Sequence, residues 1–468
     1  MGKQKLKGKD LRKIPFSTNA QKSAAINIMA QHYKHLKKEE KLDFLNSIIA
    51  EPKNYQSVVE LKPLVNMLLP KVVHKNFTSY QLSSKAKAFN VFGKKFIDQK
   101  AVDQMEVAMK LPVAIKGALL PDAHLGYGLP IGGVLATKNE IIPYAVGVDI
   151  GCRMALSILE MPAREFKKNE YALKTALKEN THFGRTKSKI FNNEHEVLDR
   201  KTFNEIKVLK NLKGKAIEQI GTSGSGNHFV EFGIVALPEN NKMQLPQGKY
   251  VGVLTHSGSR GLGAAIANHY TQVATDVCKL PKGALHLAWL DLSSEAGIEY
   301  WKSMTLAGDY AKACHDVIHK NIIKAVGSKS ILKIENHHNF AWKEEQPNGE
   351  TWVIHRKGAT PAQQNVLGII PGSMTTPAFI VSGKGNDNTL NSASHGAGRR
   401  YSRSKMKSSF TRSDLKQALQ KANVKLLGGD IDEAPQAYKN IEDVIKAQND
   451  LIHIEGTFIP KIVKMDKK

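Results

Sequence analysis

The sequence predicts a mixed α/β fold with one large catalytic domain, and three observations predict it. From Phe77 onward, short β-rich runs separated by glycine turns alternate with amphipathic helical stretches. Polar, ligand-bearing and glycine-rich segments are scattered from Asp149 to Arg403, and no internal repeat divides them into modules. Residues 1–76 differ in texture: they are lysine-rich, hold no glycine cluster, and read as a helical extension ahead of a catalytic domain over residues 77–468.

Within the extension, apolar residues recur at helical spacing over residues 19–37 and 38–49, and Pro52, Pro63 and Pro70 punctuate the remainder of it. Its expected role is packing, because no chemistry is visible in it. In the main region, strands are expected at residues 113–120, 131–135 and 141–148. Helices are expected at residues 101–111, 162–179, 263–280, 293–326, 412–422 and 434–450. The chain has no GxxxxGK[ST] phosphate loop and no glycine fingerprint in a Rossmann βαβ context.

Composition narrows the class. With 468 residues and 41% hydrophobic content, global disorder is excluded. No stretch approaches the roughly 18 uncharged apolar residues of a membrane span, and the N-terminus has no apolar leader, so a cytoplasmic protein without a membrane partner is expected. Three cysteines cannot build a disulfide framework. Cys278 and Cys314 fall in helical-looking runs and read as small buried apolar residues. The net charge of +25, with lysine runs at residues 3–13, 34–41, 167–189 and 461–468, favours attraction to a polyanion such as nucleic acid. A merely solvated basic surface is the competing reading.

Cys152 stands apart, because it follows Asp149 by three residues in a glycine-bounded turn where carboxylate and thiol can face one point. His228, His256 and His338 are expected in other loops, each beside small or amide residues. A cysteine, a carboxylate and imidazoles form a mixed hard and soft donor set suited to Zn²⁺ or Mn²⁺, and could hold two metals. Taken singly, each is more often a packing or hydrogen-bonding residue; the signal is their joint occurrence. Residues 221–227 (GTSGSGN), 371–374 (PGSM) and 383–385 (GKG) offer backbone N–H groups to phosphate oxygens. Ser257, Ser259 and Arg260 add hydroxyls and a bidentate donor. His395 lies between Ser394 and Gly396, with Arg399, Arg400 and Arg403 beyond it. A neutral imidazole there can attack a nucleotide α-phosphorus or carry a proton, and residue type alone leaves both roles open.

Eight segments occur in a fixed order: PDAHLGYGLPIGG, IIPYAVGVDIGC, GTSGSGNHFVE, THSGSRGLG, ENHHNF, RKGAT, IIPGSM and SHGAGRRYSR. In these the chain resembles the RtcB family of RNA ligases, from about Lys116 to the C-terminus, as a bacterial-type member with an N-terminal extension. The resemblance implies the family's own α/β arrangement around a metal-containing central cleft. It implies a GTP- and Mn²⁺-dependent ligase, with two metals per subunit, acting on RNA. The ends joined would be a 3′-phosphate or 2′,3′-cyclic phosphate and a 5′-hydroxyl, in tRNA splicing or RNA repair. His395 falls where the family's guanylylated histidine lies, and the metal ligands fall on Asp149, Cys152, His228, His256 and His338. Asn227, Glu231, Ser373, Gly396, Ala397 and Gly398 fall on nucleotide-contacting positions, with Lys464 as the candidate for reading guanine. The chain departs from the family pattern at Arg153, which would add a cation beside the metals, and at Thr375-Thr376-Pro377, which bears on loop shape. Whether an activating protein partner takes part stays open. Two other readings compete: a 3′-phosphate guanylyl-capping enzyme without efficient sealing, and an inactive RNA-binding homologue.

Overall fold

The computed structural model describes residues 6–69, 77–184 and 193–466, and the chain divides into two compact units, Met1–Asn76 and Phe77–Lys468. Pro70 and parts of the lysine runs at both termini and at residues 167–189 lie outside the described residues.

The first unit has its own core. Helices Asn19–Gln31, Lys38–Ala50 and Lys62–Leu68 bury Met29, Leu45, Ile48, Leu61, Leu64 and Val65 together. Thr18 starts the first helix through a reciprocal bond pair with Gln21, which satisfies two otherwise open N–H groups. That helix ends at Gln31, short of the expected residue 37, because the chain must turn before the next helix starts after Lys37.

Two mainly antiparallel sheets organise the second unit. The larger has eight strands: Ser330–His337, Arg153–Pro162, Gly248–Ser257, Phe229–Leu237, Ile452–Met465, Ala378–Gly383 and Leu367–Ile370 in spatial order, with Lys425–Leu427 alongside Ile452–Met465. The smaller orders Asn339–Glu345, Thr351–Lys357, Ile131–Thr137, Lys116–His124 and Asn90–Val91. Helices Arg260–Val277 and Glu295–Ala325 supply Leu262, Ile266, Tyr300, Met304 and Tyr310 to the largest core cluster. Mixed α and β content with antiparallel pairing agrees with the expected class. Cys278 and Cys314 are buried and unpaired, as expected for packing residues.

Strand order decides where chemistry can gather. The chain leaves the large sheet after His337 and enters the small one at Asn339, so the single residue His338 sits at the junction. In the large sheet His256 lies opposite both Met154 and Phe229, and Arg153 lies opposite His337. Cys152 and His228 directly precede their strands, so the register brings Cys152, His228, His256 and His338 to one end of the sheet.

Two expectations need correction. Residues 141–148 form no continuous strand: Glu140–Ile141 is a two-residue strand, followed by the helical turn Pro143–Val146. Pro143 fixes φ and lacks an N–H, which suits the start of a helix and forbids a ladder bond. Residues 434–450 hold only the turn Pro435–Ala437 and the short helix Ile441–Lys446, since Pro435 and the capping Asn440 restart the chain.

Arg356, fully buried, joins the small sheet to the segment ahead of His395. Its guanidinium donates to Glu344 at 2.6 Å, to the Ser392 hydroxyl at 2.7 Å and to the Leu390 carbonyl at 2.8 Å. Breaking a buried pair leaves an uncompensated carboxylate, so Arg356→Met should lower unfolding free energy by about 3 kcal/mol. Urea denaturation of the full chain measures this.

Candidate active site

At the sheet junction a thiol and three imidazoles crowd one point. Cys152 Sγ lies 3.2 Å from His256 Nε2 and 3.4 Å from His228 Nε2, and His256 Nε2 lies 3.2 Å from His338 Nε2. Asp149 Oδ2 approaches His228 Nε2 at 3.0 Å. The sequence therefore marked five residues that the fold brings together. His256, expected in a loop, is instead on the strand Gly248–Ser257, which fixes its position more tightly than a loop can. Of the adjacent pair, His338 joins the cluster, whereas His337 packs against Phe340 and Trp342.

The surroundings orient these donors. The Asn227 carbonyl lies 3.0 Å from His256 Nδ1 and can only accept, so the hydrogen is on Nδ1 and the Nε2 lone pair faces the cluster. His338 donates its main-chain N–H to the Cys152 carbonyl at 2.9 Å. Asn339 donates to the Asp149 carbonyl at 3.2 Å, holding the turn that carries Asp149. Gly258 is required here, because a Cβ would stand 2.0 Å from the Asp149 carboxylate.

Burial sets the protonation. It pushes His256 down to about 3, with His228 adding repulsion, and pushes His338 well below the usual histidine range, with His395 and His256 adding. Both are neutral near pH 7. Burial, then the Asp149 charge, pushes the Cys152 thiol well up. Burial would raise the Asp149 carboxyl, but the His228 bond holds it below the usual range. Two neutral imidazoles, with His228, a thiol and a carboxylate beside them, form a donor set that can hold a divalent metal.

His395 borders the same cleft, of about 480 Å³, with its ring centroid 4.9 Å from that of His338. Its Nδ1 lies 2.7 Å from Asp122 Oδ2, and its main-chain N–H donates to the same oxygen at 3.2 Å. Burial would raise the Asp122 carboxyl, but the bond and charge of His395 hold it below the usual range. An ionised carboxylate can only accept, so Nδ1 carries a hydrogen, and whenever the ring is neutral the lone pair is on Nε2. Gly398, at φ +72°, lets its loop close on Asp122, whose carbonyl a Cβ would meet at 2.0 Å.

Gly396, Ala397 and Gly398 line the cleft. A hollow of about 30 Å³ beside it is bounded by Asn227, Glu231, Ser373, Met374 and Met465. Burial alone pushes the Glu231 carboxyl well up, so it suits a partner that donates hydrogen bonds. The Ser373 hydroxyl lies 3.0 Å from that of Thr376, so the Thr375-Thr376 departure fixes this loop. Lys464 is not in this group. Its ammonium donates to the carbonyls of Leu177, Lys178 and Thr181 at 2.9, 2.8 and 2.7 Å, at the end of helix Phe166–Asn180. Its neighbours Val463 and Met465 face the hollow, and strand alternation turns Lys464 the other way.

Three other expectations change. The guanidinium of Arg153 is engaged by Glu335 and the Gly308 carbonyl, each at 3.3 Å, although its charge still acts on the Cys152 thiol. Arg260 donates to Thr222 and Gly184, and Ser257 and Ser259 are fully buried, so none of the three lines the cleft. Arg399 and Arg403 do line it, but are engaged by Glu433 at 3.1 Å and Asp432 at 2.7 Å respectively.

Asp122 and Lys357 emerge only from the structure. Both stood in recognised motifs, PDAH and RKGAT, but neither residue type discloses its partner. Burial pushes Lys357 down to about 7, and its ammonium, at the cleft wall, donates to the carbonyls of Tyr127 and Tyr144.

Because His256 and His338 are already neutral while the Cys152 thiol is protonated, uptake of a divalent metal near pH 7 should release the thiol proton. Metal affinity should therefore fall as pH falls. Calorimetry in buffers of different ionisation enthalpy measures the release, which Cys152→Ala should abolish together with most of the affinity.

Comparison with known proteins identifies the family. The family model described as tRNA-splicing ligase RtcB matches residues 104–465. The RNA-splicing ligase RtcB of Escherichia coli (strain K12) is 33% identical over 388 residues, covering 76% of this chain and 92% of that protein. The tRNA-splicing ligase RtcB of Nanoarchaeum equitans is 29% identical over 427 residues, covering 76% and 88%. That of Archaeoglobus fulgidus is 27% identical over 460 residues, covering 82% and 94%. A chain that carries this match over most of its length, with a buried Cys and His cluster at its sheet junction, belongs to the RtcB family and is an RNA ligase.

Proposed function

We propose that this chain uses GTP and Mn²⁺ to join an RNA 3′-phosphate or 2′,3′-cyclic phosphate end to a 5′-hydroxyl end, through a guanylylated His395. The observation that carries the reading is the Asp122–His395 pair. A buried carboxylate 2.7 Å from Nδ1 fixes both ring orientation and tautomer, and leaves Nε2 as an unencumbered nucleophile at the cleft wall.

The chemistry balances on this chain's own groups. The Nε2 lone pair attacks the α-phosphorus of GTP, the bond to the β-phosphate oxygen breaks, and pyrophosphate leaves. Nδ1 keeps its hydrogen on Asp122, which offsets the positive charge that develops on the ring. An oxygen of the RNA 3′-phosphate then takes the GMP group, restoring the neutral imidazole. Finally the 5′-hydroxyl oxygen attacks the activated RNA phosphorus, loses its proton, and expels GMP. Cyclic ends need hydrolysis to the 3′-phosphate first.

Asp149, Cys152, His228, His256 and His338 would hold the metal, and the donor set fits, with facing lone pairs within 3.4 Å and a thiol that a cation would ionise. Mn²⁺ bound there, two ions per subunit, supplies Lewis-acid polarisation of phosphate oxygens. Asn227, Ser373 and the loop Gly396, Ala397 and Gly398 are placed to contact the nucleotide, and the buried Glu231 carboxyl suits the N–H edge of guanine. Lys464, the candidate for reading guanine, instead has its ammonium on the carbonyls of Leu177, Lys178 and Thr181.

Incubation with α-labelled GTP and Mn²⁺ should leave acid-labile, alkali-stable label on the denatured protein. His395→Ala should remove the label while keeping metal content; persistent label would move the nucleophile elsewhere. Asp122→Ala should slow labelling by about 10²-fold, the usual scale for losing a positioned proton partner. An unchanged rate would remove Asp122 from the mechanism.

A further inference from the structure

Three residues beyond His124, which lines the cleft, the chain presents Tyr127 with 67% of its surface exposed. Its ring meets two others edge-on, Tyr144 at 6.3 Å and His286 at 5.8 Å between centroids. Those two stack on each other at 4.9 Å with planes 26° apart. Leu125, 50% exposed, and Leu285, 40% exposed, extend the apolar surface. A hollow of about 350 Å³ lined by Lys100, Gln104, Leu125 and His286 lies against Tyr127.

This turn is built to hold its shape. Gln104 donates to the Gly126 carbonyl at 2.8 Å and accepts from the Gly126 N–H at 3.1 Å. Gly128, at φ +70°, runs so close to the His286 backbone that a Cβ would stand 2.8 Å from its carbonyl oxygen. The aromatic group is also continuous with the cleft. Lys357 lines the cleft, donates to the carbonyls of Tyr127 and Tyr144, and places its ammonium 5.0 Å from the Tyr144 ring centroid. Lys100, exposed, adds a positive charge at the hollow, which also holds one carboxylate, Asp103.

A rigid, exposed aromatic surface rimmed by cations fits the flat face of a nucleobase followed by its phosphate. Resting on the ligase reading, we infer that Tyr127, backed by Tyr144 and His286, is the platform on which a base stacks beside the RNA end being joined. Three residues span at most about 11 Å, so the platform lies within reach of a nucleotide adjacent to the reacting one. Stacking on a π-face does not discriminate among bases, so this contact holds the strand without selecting its sequence.

Anisotropy titrations with two short labelled RNAs, one ending in a 3′-phosphate and one beginning with a 5′-hydroxyl, test this. Tyr127→Ala should weaken binding of one of them roughly tenfold, the scale of one lost base stack, and Tyr127→Phe should bind like the unaltered protein. In the unaltered protein, an abasic residue near the reacting end should weaken binding by a similar factor. In Tyr127→Ala the same abasic residue should add nothing further. Unchanged binding by Tyr127→Ala, or fully additive losses, would overturn the platform while leaving the ligase reading intact. An unaltered protein that binds neither RNA and joins none would overturn both.

Discussion

Cys152, His228, His256 and His338 are held in a chain of close donor contacts, from His228 to Cys152, Cys152 to His256 and His256 to His338, among buried strands. Such a group has little reason to assemble for its own sake. Burial strips water from each donor, and facing lone pairs repel. The scaffold must therefore enforce the arrangement, and it does so through main-chain bonds. The sheet register fixes His256, the N–H of His338 reaches the Cys152 carbonyl, and Asn339 holds the Asp149 turn. A cation recovers what burial costs, which makes metal binding the constraint that the surrounding strands and glycines serve.

His395 hangs on the same frame from the other side. His338 is the junction of the two sheets, and its ring lies 4.9 Å from that of His395. His395 in turn is held by Asp122 on the strand Lys116–His124 of the small sheet. Arg356, from another strand of that sheet, grips Ser392 and Leu390 just ahead of His395. The Cys and His cluster thus comes chiefly from the large sheet and the positioning of His395 from the small one. Their relative placement depends on the short link across His338.

Much of this was legible in the sequence, because metal ligands and a nucleophile need particular residue types at particular places. The five proposed ligands and His395 do converge. What could not be read was partnership across long separations. Asp122 and His395 are 273 residues apart, and a lone buried aspartate announces no partner. The orientation of Lys464 was equally hidden. In a strand one step of register exchanges the two faces, and its motif gave the residue without the face. Residues 141–148 show the opposite failure, where an apolar run looked like a strand although Pro143 had already broken it.

Charge is distributed unevenly between the cleft and the rest of the chain. Arg399 and Arg403 look free in sequence, yet Glu433 and Asp432 already engage them, and Lys357 sits near 7 because burial opposes its charge. The buried Asp122 and the partly exposed Asp149 add two further carboxylates. The cleft's own groups are therefore close to balanced, in contrast with the +25 of the whole chain. A triphosphate and an RNA phosphate brought together there would meet little net positive charge from side chains. The charge that draws a polyanion in must come from the exposed lysines, acting over roughly a Debye length and weakening with salt. Charge to stabilise reacting phosphates would then come from a cation held by the buried Cys and His cluster. Attraction and catalysis thus fall to different parts of the molecule.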